Sequence, residues 1–170
     1  MASLIDLLID DLNNEDTGYN KLLDLSNDKT SAIVKGDVDE LQKIFLQEQK
    51  LIEELETVER KRQEDVKEIC SILRLPYEQI RVEHIVQILE KKPKEHDALE
   101  EVYLRLKRTL NQLTTVNDNN KLLLKESMDM IQFELDLAKN SVMDPQTSNY
   151  GRTAYEEQGI TGATGFDAKQ

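Results

Sequence analysis

His84, His96 and Cys70 are the side chains with which this chain could ligate a metal or make a nucleophile, and none has the company that chemistry needs. A carboxylate-bridged di-metal centre in a helical bundle takes a glutamate three residues before each ligand histidine. Arg81 stands there before His84, and Pro93 before His96. Two histidines and a distant cysteine also fall short of a zinc set, so both histidines read as surface residues. Cys70 cannot form an internal disulfide, and it shares an apolar stripe with Val66, Ile69 and Leu73. It reads as a small buried hydrophobe. The glycines of GITGATG (159–165) lack the strand before and helix after that a phosphate cradle requires. No serine elbow or Cys/His pairing is present. No metal, cofactor or enzymatic reaction is expected.

What remains is the chemistry of recognition. Leu122, Leu123, Leu124, Met128, Met130, Ile131, Phe133, Leu135, Leu137 and Ala138 crowd one stretch. At helical spacing they cover more than half the circumference, where a two-sided contact needs a stripe of roughly 100°. Something beyond one neighbouring helix must cover them, either more of the chain or a partner. Met128, Met130 and Met143 are every methionine but the first residue. Methionine fills irregular cores, and it also suits surfaces that accept varied partners. Asn117 and Asn120 fall within the apolar phase of the same helix. Buried, they would fix register and partner choice; solvated, they would mark a looser stretch where the helix leaves the bundle.

Composition narrows the field. The 170 residues suffice for one domain and a tail, a third are charged, and tryptophan is absent. Before residue 140 only Gly18, Gly36, Pro76 and Pro93 punctuate the chain. Strands joined by turns need more, so the fold class expected is all-α: an elongated antiparallel bundle or coiled coil of long helices, with one short connecting helix and a flexible C-terminal tail. The net charge is −12, and residues 1–40 set three lysines against ten acids. Such a surface repels nucleic acid and anionic membrane. The small basic clusters, Lys91-Lys92 with Lys94 and RLKR at 105–108, read as solvated helix faces. No apolar run reaches the ~18–20 residues of a membrane span. The opening MASLIDLLIDDL lacks a positively charged leader, so a cytoplasmic protein is expected.

The elements follow from phase and punctuation. Helix 1 is expected over about Ser3–Lys35. NNEDTG at 13–18 looks like a break, yet Ile5, Leu12, Tyr19 and Ile33 keep one sevenfold spacing with Ser26 between, which favours a kinked but continuous helix. Gly36 ends it in the left-handed conformation, and Asp37 caps helix 2 with Glu40 at the third helical position. So short a link makes the two antiparallel. Helix 2, over 38–74, spans roughly 55 Å. Its stripe is Leu41, Ile44, Phe45, Leu51, Ile52, Leu55 and Val58, resuming at Val66. Between lies ERKRQED, read as a stretch where the partner helix is absent or the rod exposed. Pro76 stops helix 2. Residues 77–92 form a short amphipathic helix, and Pro93 opens a last helix to about Asn140. Domain boundaries are expected at 1–140 for the bundle and 141–170 for a glycine-rich tail. That tail spaces Val142, Met143, Tyr150, Tyr155, Ile160 and Phe166 between glycines, the pattern of a segment that orders on contact. Residues 156–170 read equally well as an idle end.

The stretch KGDVDELQKIFLQEQKLIEELETVERKR (35–62), the block NDNNKLLLKESMDMIQFELDL (117–137) and Tyr150-Gly151 together resemble flagellar export chaperones of the FlgN type. The resemblance covers roughly 20–155 and carries no role onto residues 1–18 or 156–170. It implies a cytosolic chaperone that binds terminal helical segments of hook-associated proteins, prevents premature assembly and delivers them to the flagellar type III export machinery. The residues themselves support the same action, because an apolar, methionine-bearing helix can accept an amphipathic partner helix. Leu124, Met128, Ile131 and Leu135, spaced i, i+4, i+7 and i+11, are expected at the centre of that surface. Asn117, Asn120, Tyr150 and Tyr155 are expected to contribute. The alternative is a coiled-coil structural or adaptor protein whose surplus apolar surface is its own homo-oligomer interface.

Overall fold

The computed structural model describes residues 3–142. They form four α-helices, α1 (Leu4–Lys35), α2 (Val38–Leu73), α3 (Val82–Ile88) and α4 (Pro93–Val142), with no strand among the described residues. The chain divides into two compact units, Met1–Lys125 and Glu126–Gln170, and α4 supplies residues to both.

Local chemistry sets the boundaries in the first unit. Ser3 caps α1 in a reciprocal box: its Oγ accepts from Asp6 N at 3.1 Å and its N donates to Asp6 Oδ2 at 2.8 Å. These bonds, to the backbone first, hold the Asp6 carboxyl below its ordinary pKa. Gly36 takes φ 67° to end α1, and Asp37 Oδ1 accepts from Glu40 N at 3.0 Å to begin α2. The turn expected at 36–37 is therefore present, and it makes α1 and α2 antiparallel.

α1 runs unbroken through 13–18. Gly18 has a packing reason to be glycine, because a Cβ there would overlap the side chain of Leu55. The missing side chain lets α2 seat Leu55 against α1. That contact offsets the roughly 1 kcal/mol that glycine costs within a helix.

The short helix expected over 77–92 is broken. A 3-10 turn at Tyr77–Gln79 gives way to extended backbone at Ile80 and Arg81, then α3, then a second 3-10 turn at Leu89–Lys91. His84 Nδ1 accepts from Arg81 N at 3.0 Å, which closes the start of α3. The break turns Val82, Ile85, Val86 and Leu89 into one cluster with Leu8 and Leu12 of α1, Val66, Ile69 and Cys70 of α2, and Leu99, Val102 and Leu106 of α4. Cys70 is the buried hydrophobe its stripe implied, and burial pushes its thiol pKa up. A second, smaller cluster joins Leu22, Leu55 and Leu113. No helix of the described residues is long and apolar enough to cross a membrane.

Candidate functional site

Between the two clusters the seam of the first unit is polar. Lys61 Nζ meets Asp11 Oδ1 at 2.6 Å, and Arg62 Nε meets Glu15 Oε1 at 2.6 Å. Arg105 Nε meets Asp16 Oδ2 at 3.0 Å while Thr109 Oγ1 donates to Asp16 Oδ1 at 2.8 Å. Asp11, Glu15 and Asp16 are all buried. The ERKRQED segment does not lack a partner helix, although Arg60, Lys61, Gln63 and Glu64 are exposed: its Lys61 and Arg62 are the cations that neutralise buried acids of α1. Desolvation raises the Glu15 pKa despite Arg62. Asp11 Oδ2 and Asp65 Oδ2 are buried without a donor. The Asp65 pKa is raised by burial first and by the Asp11 carboxyl next.

Toward Lys125 the polar contacts continue. Asn117 Oδ1 accepts from Ser26 Oγ at 3.0 Å. Asn120 is 3% exposed, accepts from Thr30 Oγ1 at 2.6 Å and donates through Nδ2 to the Ser26 carbonyl at 2.8 Å. Asn120 is therefore buried and hydrogen-bonded to α1, not solvated. Asn117, Asn120 and Leu124 line a groove of about 320 Å³ with Leu22, Ile52 and Leu113, beside the Lys29–Glu48 ion pair at 2.6 Å.

Up to this point α4 buries Leu99, Val102, Leu106, Thr109, Leu113 and Asn120, a three–four rhythm that ends at Asn120. From Met128 through Val142 every residue is exposed. Met128 is 68% exposed, Met130 63%, Ile131 57%, Phe133 62%, Leu135 50% and Leu137 53%. The surplus read from the sequence is thus uncovered in this structure. These apolar side chains lie close together along one helix, where water is their only cover among the described residues. Among the expected residues, Asn117, Asn120 and Leu124 share the groove of the first unit, whereas Met128, Ile131 and Leu135 belong to the second unit. Tyr150 and Tyr155 lie outside the described residues. No described group of His, Cys, Asp and Glu is placed to hold a metal.

A family model described as FlgN protein matches residues 1–158. The chain belongs to the FlgN family. Its members are flagellar export chaperones, and the match takes in residues 1–18, which the resemblance in the sequence had left aside. Comparison with curated proteins returns no match, and comparison with solved structures returns none either.

Sequence reasoning missed two features around this site. The buried acids of α1 are one; their signal is the run of cations at 60–62 at the matching distance beyond the Gly36 turn. The other is the start of α2. Phe45, expected on the core stripe, is 56% exposed, and Val38 and Leu46 are 62% and 68% exposed beside it, while Ile44 alone of that turn is buried.

Proposed function

We propose that this chain is a cytoplasmic export chaperone whose exposed α4 surface binds the terminal helical segments of hook-associated flagellar proteins, prevents their premature assembly and hands them to the export machinery. The observation that carries this reading is the unbroken exposure of Met128, Met130, Ile131, Phe133, Leu135 and Leu137 in a chain of the FlgN family. An amphipathic client helix would lay its apolar face on Met128, Ile131 and Leu135, and the pliable methionines would accommodate more than one client sequence. Asn117 and Asn120 serve binding by fixing the register of α4 against α1 next to Leu124. The tail from residue 141 adds a modest, adaptable contact through Tyr150 and Tyr155, whose rings anchor while their hydroxyls stay wet. Residues 1–140 act as the chaperone domain.

The test is titration of the full chain with terminal helical peptides of hook-associated proteins. Ile131→Asp should weaken binding severely with the circular dichroism spectrum unchanged, and deletion of 141–170 should weaken it less without lowering the melting temperature. Full-strength binding by Ile131→Asp would overturn the assignment. A stable dimer that protects the same methionines from oxidation would favour the adaptor reading.

A further inference from the structure

A second recognition surface, built from residues other than those of the client surface, lies where the first turn of α1, the last turn of α2 and α3 come together. Ile5, Ile69, Ile72, Ile85 and Ile88 are among the walls of an opening of about 290 Å³. It is not closed over. Ile72 is 65% exposed, Ile88 44% and Leu73 43%, although Ile69 and Ile85 beneath them are buried. The backbone is also held in an unusual way at its edge. Arg74, directly after Leu73, sits at φ 53°, the one non-glycine with positive φ among the described residues. Its N–H donates to the Ser71 carbonyl at 3.3 Å and that of Leu75 to the Cys70 carbonyl at 2.9 Å, which ends α2 abruptly and leaves Ile72 and Leu73 at the rim.

Charge identifies the occupant. Lys91 and Lys92 line the same opening. In a chain of net charge −12, the only charged residues of this lining are lysines. Lys92 makes only a long, exposed contact of 3.7 Å with Glu95, and Lys91 has no ion pair among the described residues. Asp6, Glu68 and Glu90 are exposed carboxylates, and none of them is among the residues that line the opening. A second copy of the chain fits poorly, since a two-fold contact through this patch would set the same lysines against each other. The opening has room for a few aliphatic side chains, not for a domain face. We propose that it docks an amphipathic helical segment of a partner protein that presents aliphatic side chains flanked by Asp or Glu. The lysines orient the segment and the isoleucine floor holds it. An opening this small makes the contact transient.

The test uses the full chain with isoleucine methyls labelled for NMR. Two synthetic helical peptides serve as probes, one of leucine and glutamate and its counterpart of leucine and lysine. General attraction to an acidic protein favours the lysine peptide everywhere, so it cannot imitate the expected result. The leucine–glutamate peptide should shift the Ile72 and Ile88 methyls saturably, whatever it does at Ile131, and the lysine peptide should not shift them. The double variant Lys91→Glu, Lys92→Glu should weaken the acidic peptide at least tenfold. Ile72→Glu, at an exposed position, should abolish its binding with the melting temperature kept. Equal shifts from both peptides, shifts from neither, or an undiminished response in the double variant would each overturn the proposal. So would concentration-dependent broadening of these methyls without peptide that Ile72→Glu removes, which would make the occupant a second copy. Because Ile131 reports separately, failure here is distinguishable from failure of the client surface.

Discussion

α4 is treated in opposite ways along its length. Between Leu99 and Asn120 its inward residues meet α1, α2 and α3, and their burial helps hold the first unit together. Beyond Met128 residues of the same kinds are in water. Helix formation does not separate the two stretches, as α4 runs unbroken through both. What separates them is what stands opposite. The lesson is that an apolar stripe reports a demand for cover, while the structure tells whether the chain itself meets it.

The sharpest way to break this comparison is to truncate one leucine in each stretch. Leu99→Ala, at a site with 0% exposure, should cost about 3–5 kcal/mol of stability. Leu135→Ala, at 50% exposure, should change stability by less than about 0.5 kcal/mol. Urea denaturation of the two variants decides it, and similar losses would mean that the 128–142 stretch is covered after all. Next in size, Ile131→Asp should weaken client binding by about 2–4 kcal/mol, measured by calorimetry, with the melting temperature unchanged. Unfolding of that variant would turn the surface into core.

The polar seam supplies the next two. Asn120→Ala should cost about 1–3 kcal/mol, because it strips the Ser26 carbonyl and Thr30 hydroxyl of a partner. Asn119→Ala, one residue away and exposed, should be nearly silent in the same denaturation experiment. The smallest expected effect is a pH slope. Glu15 and Asp65 both have folded pKa values raised above their ordinary ones. An acid raised in the folded state contributes stability that is present below its unfolded pKa and lost as pH rises through its folded pKa. These two groups should therefore make the protein lose some stability from about pH 4 upward through their raised values. Asp65→Asn should flatten that slope and raise the melting temperature at neutral pH by a few degrees. A lower melting temperature at pH 7 would show that Asp65 pairs with a cation there.

The turn at Gly36-Asp37 and the stop before Pro76 could be read from the sequence because each rests on a few adjacent residues. The α4 surplus was legible because its apolar positions outnumber any single stripe. The acids at 11, 15 and 16 were not, since charge on a helix is by default a solvated face. Seeing them as interior requires folding α2 back about the turn, which sets Lys29 against Glu48 and Glu15 against Arg62. The break at Ile80-Arg81 escaped for another reason: Ile80, Val82, Ile85 and Leu89 suit a continuous amphipathic helix as well as a broken one. Phe45 was misplaced because its spacing matches the stripe of Ile44, and spacing cannot tell which of two neighbours faces inward.

Cys70 gives the molecule a clock. Its thiol is 1% exposed among Leu8, Ile85 and Leu99 and is kept protonated by burial, so a thiol reagent has to wait for α2 to part from its neighbours. When closing outpaces labelling, the ratio of the labelling rate to that of the denatured chain gives the equilibrium constant for that opening directly. With one cysteine in the chain the signal has a single origin. Every breath of the first unit at that end is thus recorded as a covalent mark, without any engineered probe.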